Sequence, residues 1–518
     1  MSKNCALSFK KDTQGFCNTI VNGKLRVKQT ARIEKTLAVE DNLQVYNDAN
    51  IGDTVNTCNI TIKNQLIYSE PELINESGET LSQLKSLSFI NTNGTGILED
   101  GCCNGLYKEI IKIIDGEEVG WTSVGNTGDI NKAVRIVTFD QNGDGPYIGG
   151  EFDNIAGITG LDHIAKWTGS SWTSIGNTGD INNVVSTIVF GPSGDGPYIG
   201  GTFENVAGIT GLNNLAKWTG SSWTSVGNTG DINARVRIIA FDQNDEGPYI
   251  GGGFDDVAGI TGLNHIAKWT GSSWTSVGNT GDISGSNRFI EALTFDQNGD
   301  GPYIGGNFNN VAGITGLNKL AKWTGNSWTS IGNTGDFDNN EINIITFSTT
   351  GEGPYIGGTI NKIAGITGLD KLAKWTGSSW TSIGNTGDIS DRVRSIVFDQ
   401  NGEGPYIGGN FTDVAGIIGL DHIAKWTGSS WTSIGNTGDI GDNIRSIVFD
   451  QNGDGPYIGG SFTDVSGITD LDRLAKYNLD QGYKLTYNNT ETHTLTNNGD
   501  SVTFIYNSDP TAEWIKLN

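Results

Sequence analysis

One phrase of about 51 residues is written seven times between Trp121 and Tyr477. A chain built that way has few folds open to it, because a single copy cannot bury its own apolar faces and must lean on its neighbours. The anchor Trp-Thr-Ser-[Val/Ile]-Gly recurs at Trp121, Trp172, Trp223, Trp274, Trp328, Trp380 and Trp431, at steps of 51, 51, 51, 54, 52 and 51 residues. A second anchor, Gly-Pro-Tyr-Ile-Gly-Gly, starts at Gly145, Gly196, Gly247, Gly301, Gly353, Gly404 and Gly455.

Each copy holds four short runs rich in Val, Ile, Tyr, Phe and Trp. In the first copy they are Val134–Phe139, Tyr147–Gly150, Ile164–Trp167 and Trp172–Gly176, separated by Gly, Asn, Asp and Pro. These are strand signals with turn chemistry between them, and no window carries an apolar stripe at helical spacing. Four-stranded sheets that stack radially leave only short edges. The fold expected is therefore all-β: a seven-bladed β-propeller with four-stranded blades, an N-terminal β-stalk and a C-terminal β extension.

The order of features in one copy resembles the kelch repeat, and is similar to the kelch-like propellers of bacterial and fungal surface proteins. The residues that carry the likeness are Gly149-Gly150, Trp167 and Trp172, with their equivalents in later copies, and it spans roughly 360 of the 518 residues. The paired glycines are expected to let backbones approach and to supply positive φ. The tryptophans are expected to form flat surfaces between blades. Phase predicts how the ring closes: residues 121–125 complete the last blade beside residues 473–477, the alternative being a local outer strand at Tyr483–Tyr487.

The flanks read differently. Residues 1–36 form a basic arm, with eight Lys or Arg against Asp12 and Glu34; such an arm either docks on an acidic partner or is a solvated tail. Residues 25–69 form a β stalk, because Val27, Ile33, Val39, Val45 and Ile51 repeat every six residues, with Leu25, Ala31, Leu37, Leu43 and Ala49 two places ahead. That segment resembles the intertwined shafts of viral and phage fibres, which implies a homotrimer; a few ordinary strands are the plainer reading. Residues 70–118 read as a connector, with an acidic stretch suited to a short helix at Glu70–Leu87 and loop-like sequence at Asn91–Gly105. The propeller occupies 119–480. Residues 481–518 form a C-terminal extension, in which His493–Tyr506 reads as a hairpin about Asn497-Asn498-Gly499-Asp500, and Trp514, Ile515 and Leu517 lie on a docking strand.

Formal charge is −25 and the pI is about 4.4, which argues against nucleic acid as the propeller's ligand. No run of 18 apolar residues occurs, so no membrane insertion is expected, and Met1–Phe16 lacks the apolar core of a secretory signal. Exterior display without such a signal points to a virion component, or to a surface protein exported by another route. All five cysteines (Cys5, Cys17, Cys58, Cys102, Cys103) precede the ring. Their spacing fits no zinc pattern; buried free thiols and an intermolecular bridge are the two readings.

Candidate chemistry is sparse. The turn Asp140-Gln141-Asn142-Gly143-Asp144 places oxygens at i, i+2 and i+4, as calcium loops do. It recurs at Asp296, Asn298 and Asp300 and at Asp450, Asn452 and Asp454, while two copies lose it. A hairpin turn using Asx chemistry explains the same residues, so no cofactor is expected, with calcium the one candidate. Among kelch-like proteins, copper oxidases need a cysteine-modified tyrosine, and this propeller has no Cys. His163, His265 and His422 hold one repeat position in three different blades and cannot converge on one metal. No nucleophile elbow, His-Glu-x-x-His or phosphate loop occurs. Catalysis needs unlike groups in one place, and the loops look nearly as uniform as the strands, so no enzyme is expected. Uniform loops instead suit several weak sites acting by avidity on glycans or on another surface protein, or are simply inherited from recent duplication. The alternatives are an intracellular scaffold for protein partners and, further off, a propeller hydrolase or lyase.

Overall fold

In a computed structural model of the chain, the described residues run from 120 to 478, apart from short stretches mostly in the blade-to-blade linkers. Outside them, only the backbone of strands between residues 20 and 114 and between 483 and 517 is described. The Gly-Asn-Thr-Gly-Asp linkers beyond their first glycine, the basic arm, the five cysteines and most of the acidic stretch lie outside the described residues.

The ring has seven blades, each a four-stranded antiparallel sheet. The first blade is made of Val134–Thr138, Tyr147–Gly150, Ile164–Trp167 and Trp172–Thr173, in that order from the axis outward. The outer strand is shorter than the sequence suggests. Ser174 leaves the ladder because its hydroxyl turns back onto the carbonyl of Gly176 at 2.8 Å. The seventh blade is built from Ile444–Val448, Tyr457–Gly460, Leu474–Asn478 and, as its outer strand, Gly120–Ser123. Trp121 pairs with Tyr477, so the expected closure is the one formed, and Tyr483–Tyr487 belongs to a separate sheet.

The core lies between blades. Tyr147 and Ile164 of the first blade pack with Val185, Ile199 and Phe203 of the second; Tyr457 and Leu474 of the seventh pack with Val134, Ile148 and Phe152 of the first. Phe152, Phe203, Phe254, Phe308, Phe411 and Phe462 are fully buried, each stabilising the ring by roughly 1.5–3 kcal/mol. Polar latches reinforce the apolar seams. Trp223 Nε1–H donates to the Ile175 carbonyl of the preceding blade at 3.0 Å, and Trp121 to Ile434 at 3.1 Å. Gln141 and Gln451 reach across to the next blade's turn carbonyls, Gln451 closing the circle on Asp140 at 3.1 Å.

The diglycine does not supply the positive φ expected of it. Neither Gly149 nor Gly150 has a left-handed φ. A Cβ on Gly149 would sit 2.8 Å from Val185 Cγ1 of the next blade, and one on Gly150 would sit 2.3 Å from the Ala133 carbonyl of its own blade. Crowding, not backbone freedom, demands these glycines. Positive φ falls instead at other glycines, Gly157 and Gly160 among them, and at loop residues that are not glycine, including His163, Asn214, His265 and Lys319.

The long loop after the diglycine anchors itself in the core at three points. Phe203, Val206 and Leu212 are buried, and Val206 pairs with Ile209 across a two-residue turn. Packing thus accounts for the sameness of these three positions from blade to blade. Each copy exposes an isoleucine: Ile158, Ile209, Ile260, Ile314, Ile366, Ile417 and Ile468 are each about 40% exposed, and in the sixth copy Ile418 is exposed as well.

The flanking strands form a second compact unit, residues 1–119 with 480–518. In the six-residue periodic segment, Leu25–Val27 pairs in parallel with Asn42–Val45, and Ala31–Ile33 with Ala49–Ile51, eighteen residues on. Three hexads therefore make one coil within one chain. Two sequence expectations change here. Gly96–Asp100 is a strand in the stretch with loop-like sequence. The hairpin expected at His493–Tyr506 does not form: Glu491–Leu495 pairs with Tyr483–Tyr487, whereas Ser501–Asn507 pairs with Ser86–Asn91 and Glu513–Leu517. Glu491–Leu495 takes the nearer strand before it, and Ser501–Asn507 is held between Glu513–Leu517 and the distant Ser86–Asn91.

Candidate functional site

Two places on the ring gather polar groups: the clefts between blades at the Asp-Gln-Asn turns, and the central channel at the opposite end.

The clefts arise because Gly176 leaves room for its neighbour. A Cβ there would meet the Trp218 ring of the next blade at 2.8 Å. One cleft of about 580 Å³ lies between the first and second blades, lined by Asp140, Gln141, Tyr147, Lys166, Phe190 and Trp218 among others. Its equivalent between the fourth and fifth blades, of about 490 Å³, uses Asp296, Gln297, Tyr303, Lys322, Phe347 and Trp375. Tyr147 stands edge-on to Phe190 at 4.9 Å, and the Lys166 ammonium lies 4.9 Å above the Tyr147 ring. Burial works against the Lys166 charge, but Tyr147 and Asp144 outweigh it and hold its pKa above the ordinary value; burial likewise pushes the Tyr147 phenol up. Each cleft therefore offers a fixed ammonium, carboxylate oxygens, a phenol and aromatic walls.

The sequence-predicted calcium residues fall at the rim of these clefts. Asp140 Oδ1 accepts from the backbone N–H of Asn142 and of Asp144, each at 2.9 Å, and Oδ2 accepts from the Tyr147 hydroxyl at 3.3 Å. Asp296 does the same with Asn298, Asp300 and Tyr303. Lys166 approaches Asp144 at 3.4 Å and Asp140 at 3.9 Å, and Lys322 approaches Asp300 at 3.2 Å. The carboxylates are thus spent on an Asx turn and a lysine, and Asn142 and Asn298 contribute backbone N–H groups to the turn. Asp450 is buried, while Asn452 and Asp454 lie outside the described residues. No group of three or more His, Cys, Asp or Glu suited to a metal occurs among the described residues.

No family model matches the chain, and no curated protein sequence matches it. Its function is therefore read from its own geometry.

The three histidines stay apart, one to a blade. His163 and His422 place Nδ1 at 3.1 and 3.2 Å from the Gly150 and Gly409 carbonyls. His265 is buried, accepts from Arg288 Nε at 2.7 Å, and has its pKa lowered by burial and then by the Arg288 charge.

The channel holds the residues that sequence reasoning missed. Every inner strand has a register shift near its start: Val134 pairs with Gly150, whereas Ile136 pairs with Gly149. The extra residue is Arg135, and the same shift recurs in the other six blades. A bulge re-aims its residue. The residues so placed are Arg135, Ser186, Arg237 and Glu291, followed by Asn343, Arg394 and Arg445. Identical anchors surround a ring of unlike groups, so the uniformity expected around the circle breaks at the axis. Arg135 pairs with Glu151 at 2.7 Å, and Arg445 reaches the same carboxylate at 3.5 Å. Arg237 pairs with Glu291 at 2.5 Å, and Arg392 with Glu341 at 2.6 Å. Arg235 donates to Ser186 Oγ at 3.0 Å and Arg394 to Asn410 Oδ1 at 2.7 Å. The signal was present in the sequence as an inner-strand position where the copies disagree in charge.

Proposed function

We propose that the propeller is a non-enzymatic, multivalent binding head that takes polar ligands, glycans foremost, into the clefts between its blades. The observation that carries this is the cleft itself. An aromatic wall, an aspartate turn, a phenol and a lysine ammonium recur in the same arrangement between different pairs of blades. Pockets that combine aromatic surface with a few fixed polar groups are the common form of small-ligand site, and repetition around a ring turns weak sites into avidity. The head is a kelch-like propeller by the diglycine and the spaced aromatics. With the hexad-periodic stalk it fits a homotrimeric display protein of a virion or cell exterior, meeting other surface proteins and host glycans.

A glycan array probed with the intact chain tests the reading. Hits are expected to weaken when Tyr303→Phe and Lys322→Met remove the phenol and ammonium from one cleft, and to weaken further as more clefts are changed. An empty array, or hits indifferent to every cleft substitution, would reject it. Light scattering tests the trimer. The second reading, a scaffold for protein partners, is favoured by the ring of exposed isoleucines at Ile158, Ile209, Ile260 and their equivalents; replacing them with serine would then abolish partner capture and leave glycan binding intact.

A further inference from the structure

The channel carries a charge excess that the rest of the protein does not predict. Six arginines meet there with three glutamates, Glu151, Glu291 and Glu341, a formal balance of +3 (6 − 3) inside a chain of formal charge −25. Arg235 and Arg394 have neutral partners only, and neither meets a carboxylate among the described residues. Both guanidinium groups are pulled down to a pKa of about 10, by burial first and by neighbouring arginines second. The charges of Arg237, Arg135 and Arg445, which belong to three different blades, all act on Arg235, with Glu291 opposing them. The buried Nε–H groups of Arg237 and Arg445 find no acceptor among the described residues. Packing does not ask for this set, since the equivalent bulge in the second blade carries Ser186 and that blade forms as well as the others.

Guanidinium groups that repel one another, with donors left over, are stabilised by a shared anion whose oxygens accept several charge-assisted bonds at once. Charges of one sign gathered in a cleft focus such a field. Asp442 lies near Arg445 but is exposed, and Glu151 already serves two arginines. We propose that this end of the channel binds one tetrahedral oxyanion, a phosphate or sulfate group, either free or carried at the end of a larger molecule. The arc Arg394, Arg445 and Arg135, contributed by three consecutive blades, forms its main contact. The site lies at the end of the ring away from the Asp-Gln-Asn turns and stands or falls independently of glycan binding in the clefts.

Isothermal titration of the intact chain at low salt, with inorganic phosphate, inorganic sulfate, pyrophosphate and a hexose 6-phosphate as probes, tests this. One anion is expected per chain, unlike the repeated stoichiometry of the clefts. Tighter binding of the hexose phosphate than of inorganic phosphate would assign the carried form, and the reverse the free form. Arg394→Gln is expected to weaken binding at least tenfold. Glu151→Gln, which releases Arg135 and Arg445 from their carboxylate, is expected to tighten it at least threefold, a gain that mere loss of structure cannot produce. Tyr303→Phe in a cleft should leave it unchanged. No heat with any oxyanion, unaltered affinity in a folded Arg394→Gln chain, or weakened binding in Glu151→Gln would overturn the proposal.

Discussion

Alanine at Gly201 should damage the propeller far more than alanine at either of two other glycines in the same blade. A Cβ on Gly201 would lie 2.0 Å from the Val184 carbonyl oxygen, which is backbone and cannot rotate aside. Relief requires the inner strand to move out by about 1 Å, given how stiffly protein interiors are packed. That movement strains the Thr202 N–H bond to Val184 and the Gly201 N–H bond to Asn214, both 3.0 Å. Overpacking alone costs about 1–3 kcal/mol, and two weakened buried bonds add about 1 kcal/mol each, so the loss should reach about 3–5 kcal/mol. Gly200→Ala meets side-chain methyls instead, Val236 Cγ1 at 2.7 Å and Thr187 Cγ2 at 2.8 Å; these can shift, and about 1–3 kcal/mol is expected. At Gly208 nothing lies within 4 Å, but φ is +71°, so the cost is only that of a left-handed alanine, about 1–2 kcal/mol. Urea midpoints followed by tryptophan fluorescence should therefore fall in the order Gly208→Ala, Gly200→Ala, Gly201→Ala, the last lowest. A Gly201→Ala midpoint equal to or above that of Gly208→Ala would refute the steric account of the diglycine.

Three other outcomes are expected. Trp121→Ala removes the buried indole that closes the ring and its bond to Ile434, and should cost about 3–5 kcal/mol in the same urea experiment. Burial lowers the His265 pKa below its ordinary 6.5, so the unfolded chain binds the extra proton first and stability is lost as pH falls below that value. His265→Asn, which copies Asn214 at the same place in the second blade, should flatten the drop in melting temperature between about pH 7.5 and pH 5.5. Because Asp140 and Asp296 spend their oxygens on backbone donors and lysines, adding calcium or a chelator should leave the melting temperature unchanged; a calcium-dependent rise would reopen the loop as a metal site.

Strands, blade number and closure were legible because they depend on local punctuation and on phase. Val134, Tyr147, Ile164 and Trp172 head the observed strands of the first blade, and the unpaired Trp121 motif at the start of the series had to find a partner at its end. What was not legible depends on approach between segments distant in sequence. The diglycine looks like a pair of flexible hinges until the Ala133 carbonyl and Val185 are seen against it. The bulge at Arg135 cannot be read from alternation, because one extra residue changes which way a side chain faces. Arginines stand singly in four of the seven inner strands, and only the ring brings them together. The clefts were not legible, since Tyr147 and Trp218 come from different copies.

Gly120 pairs with Asn478, and Trp121 with Tyr477, so the polypeptide enters and leaves the seven-fold body through one antiparallel ladder, its two ends about 5 Å apart. A body with adjoining ends can be spliced into a surface loop of an unrelated carrier without stretching either partner. Residues 120–478 are in this sense a transferable cassette, and the host segments on either side need only present two neighbouring strands to receive it.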